Sequence, residues 1–230
     1  MSDPSGPSDP TVRGDPSPRV DRDALVAAVG RYHRVERIVN WALALSVAGA
    51  FLAAVAAVSL WPGVAVAAAL AVALRVPVYR RRGSYRLRTG APVETVAREF
   101  ASARPPVLAF QWSLADEVRT GGTADATYEV SYLFGLRSAS IDVATDRRET
   151  DSGSAVVDVE GTADGRPWGA YTITVREADD GATVVDVELA STRRFALRRL
   201  PQAWLAGRYY ADILGAQGYE VAGREVSYGL

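Results

Sequence analysis

The sequence predicts a membrane-anchored α+β protein: a two-helix transmembrane hairpin, then an antiparallel β-sheet domain with a long C-terminal helix. Three observations predict it. Residues 38–60 and 63–79 form two apolar runs that meet at Trp61, Pro62 and Gly63. From residue 108 to residue 189 the apolar side chains recur mostly at every second position, broken by Gly-containing turns, which is the period of half-buried strands. Residues 201–216 then return to helical spacing, with Trp204, Leu205, Tyr209, Ile213 and Leu214 as the apolar positions.

Residues 1–20 are mostly Pro, Ser, Asp and Gly. They have too little to bury to offset the entropy of ordering, so a disordered tail is expected. The tail is too polar for a secretory leader, and a second apolar run follows the first, which argues against cleavage. Asp21 or Asp23 is placed to cap a helix over residues 24–36. Leu25, Val29 and Tyr32 share one of its faces, suited to a juxtamembrane helix (residues 21–37) lying on the inner leaflet. His33, the only histidine, has Tyr32, Arg34 and Arg37 around it, which offer no catalytic or metal-binding partner.

Residues 38–60 are 23 positions without a charge. As helix they reach about 34 Å, against a hydrocarbon core of about 30 Å. Residues 63–79 reach only roughly 25 Å. Their Arg75 lies close enough to Arg80, Arg81 and Arg82 for its side chain to snorkel to the headgroups. Trp41, Trp61 and Tyr79 fall near the run ends, where amphipathic rings favour the interface. The alternative is a buried helical pair inside a soluble domain. Leu, Ala and Val on every face of both runs, with no polar stripe, argue against it. Pro62 and Gly63 leave almost no loop, so the helices are antiparallel neighbours. Small residues at four-residue spacing (Gly49, Ala53, Ala57 and Gly63, Ala67, Ala71) would let the backbones approach. Arg31, Arg34 and Arg37 precede the runs, Arg80, Arg81, Arg82, Arg86 and Arg88 follow them, and the tip is uncharged. By the positive-inside rule both termini are cytoplasmic, and the expected location is the cell membrane with two spans.

Composition removes several chemistries. The 230 residues contain no cysteine, so disulfides, thiolate catalysis and thiolate metal sites are excluded. All 26 long cationic side chains are Arg. With the enrichment in Ala, Val, Asp and Gly, this points to a GC-rich genome, such as that of a salt-adapted archaeon. The net charge of −1 conceals a segregation. Residues 75–89 hold six Arg and no acid, residues 90–190 hold 8 Arg against 18 acids, and residues 193–230 hold 6 Arg against 3 acids. The basic segments suit a position near anionic headgroups, with the acidic part held away from the bilayer.

The cytoplasmic domain is expected over residues 84–230. Tyr85, Leu87 and Thr89 mark a first strand over residues 84–89. Gly90, Ala91 and Pro92 open a helix over residues 93–103, with Val93, Val96 and Phe100 as its stripe, and Arg104, Pro105 and Pro106 stop it. Leu108, Phe110, Trp112 and Leu114 then alternate as a strand. Tyr128, Val130, Tyr132, Phe134 and Leu136 follow on even numbers, whereas Ile141 and Val143 are odd, so a bulge or turn lies between. Asp164-Gly165 and Asp180-Gly181 sit between alternating runs, a strong hairpin cue. Pro201 opens the last helix, Gly215 and Gly218 end it, and residues 219–228 form a further strand or an extended tail.

This order of elements resembles the helix-grip arrangement of the START and Bet v 1-like (SRPBCC) superfamily. Three stretches carry the likeness: residues 85–96, with Ala91, Pro92 and Val96 at the strand-to-helix junction, the strands of residues 107–191, and the helix of residues 201–216. The chain departs from that pattern in having one clear helix after the first strand where two short ones are usual, and in continuing past the last helix. The resemblance implies a cavity between sheet and helix that holds an apolar ligand. Its candidate lining is Phe110, Trp112, Tyr132, Phe134, Tyr171, Trp204 and Tyr209. The same aromatic rings would equally serve as core filling.

Membrane lipids are the expected partners of the basic groups: Arg80, Arg81 and Arg82 after the hairpin, and Arg193, Arg194, Arg198 and Arg199 before the last helix, with Arg208 beyond them. Nucleic acid is not expected, since the sheet is acidic and repels phosphate. The carboxylate pairs Asp116-Glu117 and Asp179-Asp180 fall at a strand end and in a turn. Neighbours in a strand point to opposite faces, so Asp116 and Glu117 do not share a proton. No phosphate-cradling loop is present, since Gly121-Gly122 lacks the Lys and the helix that such a loop needs. No cofactor or metal is expected. The function expected is therefore binding, of a lipid-like apolar ligand or a membrane-protein partner, without catalysis. The alternatives are a structural or assembly component of a membrane complex, and a polyketide-cyclase-type enzyme of the same superfamily.

Overall fold

A computed structural model describes residues 21–57, 59–132, 137–150, 153–191 and 194–229, without the side chains of Arg22, His33, Tyr132, Arg137 and Gln202. The tail over residues 1–20, together with Phe134, Leu136 and Arg193, lies outside the described residues.

The juxtamembrane segment and the first apolar run are one continuous helix, α1 (Arg22–Ala57). Asp21 caps it, accepting the Ala24 amide on Oδ1 at 2.9 Å. Its first turns do not offer their apolar face to a bilayer. Leu25, Ala28 and Val29 are buried against Ala109, Ile213 and Ala216, and the Asp21 amide donates to the Ala216 carbonyl at 2.8 Å. The leaflet-facing expectation for this stripe is therefore corrected: the domain covers it.

The second helix, α2 (Leu60–Arg75), is shorter than its apolar run. Pro77 cannot donate to a helix, and the residue before a proline avoids the α region, so Val76 is extended (φ −61°, ψ 127°) and the helix stops. The strand β1 (Pro77–Thr89) follows at once and takes in Tyr79 and Arg80–Arg82. Close approach of α1 and α2 depends on Gly63, where a Cβ would collide with Val55 Cγ2, whereas a Cβ at Gly49 would meet nothing within 4 Å. Among the described residues one helix, Asp23–Ala57, is long and apolar enough to cross a membrane, and Leu60–Arg75 is a shorter apolar helix.

After β1 come α3 (Val93–Phe100), a 3-10 turn (Pro106–Leu108) and a short helix, α4 (Ala109–Trp112). The last two replace the strand expected from Leu108, Phe110, Trp112 and Leu114. Positions four apart share a helix face as well as a strand face, so seven residues of alternation fit both periods. Val107, Leu108 and Ala109 are all buried in succession, which a half-exposed strand does not allow. The second short helix missing from the sequence reading is α4.

The strands that follow are β2 (Glu117–Arg119), β3 (Ala126–Tyr132), β4 (Arg137–Glu149), β5 (Ala155–Ala163), β6 (Arg166–Glu177), β7 (Thr183–Ala190) and β8 (Phe195–Ala196). A 3-10 turn (Leu197–Arg199), α5 (Leu200–Ala216) and β9 (Glu220–Gly229) complete the chain. β2 to β7 pair consecutively and antiparallel, β7 pairs with β1, and β8 and β9 also pair with β1. Tyr128 pairs with Ile141 and Tyr132 with Arg137, so the slip of parity is a hairpin between β3 and β4. Asp164 (φ 49°) and Gly165 (φ 72°) both take the left-handed conformation that a two-residue hairpin requires. The C-terminal extension is no loose tail, because β9 pairs with β1 from Arg80 to Arg88.

The result is an antiparallel sheet packed on a long C-terminal helix. One core joins Tyr85 and Leu87 of β1, Val96 and Phe100 of α3, and Val157, Ile173 and Val185 of the central strands to Tyr210 and Leu214 of α5. Each large apolar side chain fully buried there contributes roughly 1.5–3 kcal/mol.

Candidate functional site

A cavity of about 190 Å³ remains between the sheet and α5. The alternation of β1 explains one wall of it. Odd positions of this strand face inward and Tyr79, Arg81 and Tyr85 line the cavity, while Arg80, Arg82, Ser84 and Arg86 are exposed on the other face. β6 contributes Trp168 and Tyr171, and β7 contributes Leu189. Val107, Phe110 and Gln111 come from the 3-10 turn and α4, while Ala203, Ala206 and Tyr210 come from one face of α5. Tyr32 of α1, Phe195 of β8 and Arg199 complete the lining. The rings form a continuous wall, with centroids 4.6 Å apart for Tyr85–Tyr210, 4.7 Å for Tyr32–Phe110 and 6.4 Å for Phe110–Tyr210.

The polar groups in this wall are unevenly served. Arg81 donates from Nη2 to the Tyr85 hydroxyl at 3.1 Å. Three buried polar atoms have no partner among the described residues: Arg81 Nε, Gln111 Oε1 and the Tyr210 hydroxyl. All three belong to residues lining this one cavity. No Asp or Glu is among the lining residues described. Burial pushes the Tyr171 hydroxyl up to about 12, with Arg81 acting against it. Burial likewise holds Tyr210 well above the ordinary tyrosine value, and Tyr171 and Tyr85 add to the effect. At neutral pH both are therefore protonated donors. Burial lowers the pKa of Arg81, but the oxygens of Tyr85, Tyr171 and Tyr228 outweigh it, so the guanidinium keeps its charge.

Of the seven residues proposed from the sequence for a lining, Phe110 and Tyr171 line the cavity. Tyr209 sits beside it, its ring 6.2 Å from that of Tyr32. Trp112 is turned into the core, its indole N–H donating to the Pro105 carbonyl at 3.0 Å. Trp204 is 62 % exposed on the outer side of α5, because the inner face there is carried by Ala203 and Ala206. Of Tyr132 only the backbone is described, and Phe134 lies outside the described residues.

The basic residues divide in the same way. Arg80, Arg82, Arg194 and Arg198 are exposed, and Arg199 is an exposed residue that also lines the cavity. Arg81 belongs to the interior. Sequence reasoning missed it by taking Arg80, Arg81 and Arg82 as one lipid-facing group. The signal was available, since Tyr85, Leu87 and Thr89 fix the odd face of β1, and two steps back along that face stands Arg81. Tyr210 and Gln111 carried no comparable signal.

No family model and no curated protein matches the chain. Among solved structures it is similar to Ara h 8.0201, at 9 % identity over 60 % of this chain and 97 % of that one, with a TM-score of 0.39. It is similar also to a START superfamily protein from Mycobacterium smegmatis, at 13 % identity over 59 % and 93 % of the two chains, with a TM-score of 0.36. A third similar structure is DynU16, from the dynemicin biosynthetic locus, at 18 % identity over 60 % and 45 %, with a TM-score of 0.35.

Proposed function

We propose that this chain is a membrane-anchored binding protein whose domain takes a small amphipathic ligand into the cavity between β1 and α5, without transforming it. One observation carries the reading. A space of about 190 Å³ is walled by aromatic rings, and three of its lining residues carry a buried polar atom without a partner among the described residues. Buried polar groups are normally satisfied, and a concave apolar wall with a few converging polar groups is the usual form of a ligand site. Tyr171 and Tyr210, protonated at neutral pH, suit hydrogen-bond donation rather than base catalysis. Native mass spectrometry of the full-length chain purified in detergent tests this. A co-purifying small molecule that is lost when Ala206→Phe fills the cavity is the expected result. An apo mass in every preparation would refute the reading.

The anchor in this proposal is the hairpin of α1 and α2, with both termini in the cytoplasm and the domain beside the inner leaflet. Trp41 (65 % exposed), Leu45, Leu52, Trp61 (80 % exposed) and Val72 are uncovered by protein, and lipid is the solvent that suits them. The second span is short, about 24 Å of helix, and Val76 to Val78 extend its reach. The cysteine-free chain allows a direct test. With single cysteines in intact cells, an impermeant maleimide should label Ser59→Cys at the tip and leave Asp179→Cys in the β6–β7 turn untouched. The reverse pattern would overturn the topology.

A second reading, docking onto a membrane complex, is favoured by the exposed Leu197, Leu200 and Trp204 at the start of α5, with Arg194 and Arg198 beside them. Trp204→Ala together with Leu200→Ala should release a co-purifying subunit under this reading and leave the small-molecule mass unchanged under the first.

A further inference from the structure

We propose that the ligand is an amphipathic anion whose acidic head is held by Arg81, with its apolar body along Phe110, Trp168 and Phe195. The inference rests on the binding role proposed above and names the chemical class of the ligand.

The position of Arg81 is the starting point. It is one of three consecutive arginines, yet β1 turns it alone inward, onto the face of Tyr79, Tyr85 and Leu87. There its Nη2 reaches the Tyr85 hydroxyl, and its Nε is buried without an acceptor among the described residues. The ion pairs described fall on Arg86, Arg88, Arg119, Arg147, Arg148 and Arg176, each with a carboxylate on the outer surface or in a turn. None falls on Arg81 among the described residues. A guanidinium partly withdrawn from water without a counter-ion is an unfavourable arrangement, and it favours an anion that enters beside it.

The other two unpartnered atoms specify the head further. Tyr210, only 7 % exposed, is a second lining residue whose hydroxyl has no partner among the described residues. Gln111 Oε1 is an acceptor on the same lining, so a head with a hydroxyl group beside its negative charge suits it better than a bare anion. Aspartate and glutamate are absent from the described lining itself, and the carboxylate beside it, Glu36, is engaged with the lining Tyr32.

Size and position limit the rest. Sites that enclose a drug-sized ligand measure about 300–1,000 Å³, whereas this cavity holds about 190 Å³. It therefore takes a small acid whole, or only the head of a longer one. The cavity also lies next to the hairpin. Tyr79 follows the last residue of α2, Arg75, by four residues, at most roughly 14 Å of extended chain. Tyr32 precedes Ile38 by six residues of helix, about 9 Å. The shared chemistry, an anion on an apolar body, fits both an acidic lipid drawn from the leaflet and a small soluble acid.

The test uses the full-length chain in phosphatidylcholine nanodiscs and isothermal titration calorimetry with matched pairs. One arm compares 3-phenylpropanoate with 3-phenylpropan-1-ol, and the other compares dihexanoyl-phosphatidylglycerol with dihexanoyl-phosphatidylcholine below its micelle concentration. The expected result is that in at least one arm the anion binds at least tenfold more tightly than its partner. Arg81→Gln should erase that preference, while Arg80→Gln on the outer face retains it. The arm that responds identifies a soluble or a lipid source. Without ligand, Arg81→Gln should melt no lower than the parent, since it removes a half-buried charge that has no counter-ion among the described residues, which separates loss of binding from loss of fold. Equal binding of anion and neutral partner would overturn the inference and leave cavity binding standing. A preference that survives Arg81→Gln would place the anion elsewhere. Absence of binding by all four probes would overturn the inference together with the binding role.

Discussion

The two halves of α1 share one helix and both carry apolar side chains, but different surroundings cover these. Leu25, Ala28, Val29 and Tyr32 are buried by α4 and α5, while Ile38, Trp41, Leu45 and Leu52, further along the same helix, are exposed. Polar groups follow the same division. In the hairpin, Ser46 donates to the Ala42 carbonyl one turn back at 2.8 Å, and Arg75 reaches back to the Ala71 carbonyl at 3.4 Å. In the domain, Tyr219 bonds Glu99, Tyr128 bonds the Ala103 carbonyl, and Thr183 bonds the Ala91 carbonyl, all across long stretches of sequence. A helix that satisfies its polar groups within itself is suited to a solvent that offers none. Charge and pattern both distinguish the halves: the first carries an amphipathic stripe among charged residues, and the second is uncharged and apolar on every face.

The largest expected effect separates two leucines on that helix. Leu25→Ala opens a cavity against Ile213 and should cost the domain about 2–5 kcal/mol, lowering its midpoint by roughly 5–15 °C. Leu45→Ala should leave the domain midpoint unchanged. Near-UV circular dichroism of the full chain on heating reads both, and equal effects would break the distinction. The converse pair tests insertion. Leu45→Arg should cost about 3 kcal/mol of membrane insertion, seen as protein released by carbonate extraction, whereas Val26→Arg, exposed on the first half, should remain in the membrane fraction.

A smaller effect is expected where the two hairpin helices meet. Gly63→Leu drives a side chain into Val55, and overpacking of this kind costs about 1–3 kcal/mol. Gly49→Leu meets nothing within 4 Å and serves as its control. Loss of helical circular dichroism in graded dodecyl sulfate should come earlier for the first variant only.

Legibility of the fold in the sequence follows the same physics. The hairpins around Asp164-Gly165 and Asp180-Gly181, the α3 stripe and the helix at Pro201 were readable because local chemistry sets each one. The stretch around Phe110 was not, since seven alternating residues satisfy both periods and only the burial of Val107, Leu108 and Ala109 together decides for helix. The candidate site was half readable. Tyr171 followed from ring and parity and Phe110 from its ring alone, while Trp204 fell on the wrong side of α5 because a large ring was preferred over Ala203 and Ala206. The role of Arg81 depended on where β1 begins. Starting the strand at Ser84 left the arginines outside it, and Pro77 as the helix stop was the overlooked cue.

The smallest effect concerns a polar pair in the protein-covered region. Glu99 on α3 accepts the Tyr219 hydroxyl at 2.7 Å. Burial raises its pKa above the usual carboxylate value, and the hydrogen bond only partly offsets this. The neutral carboxyl is thus favoured in the folded state relative to the unfolded chain. Its contribution to stability is fully present below the unfolded pKa and is lost as pH rises through the folded one. Glu99→Gln keeps an oxygen for Tyr219 and has no proton to lose, so it should be at least as stable as the parent at pH 7.5, with a flatter dependence between pH 4 and pH 7.5. A variant less stable than the parent at pH 7.5, with the parent's slope unchanged, would mean that the ionised carboxylate is the favoured form. Polar groups in the domain interior would then be held by charge rather than by the neutral hydrogen bonds that separate it from the hairpin.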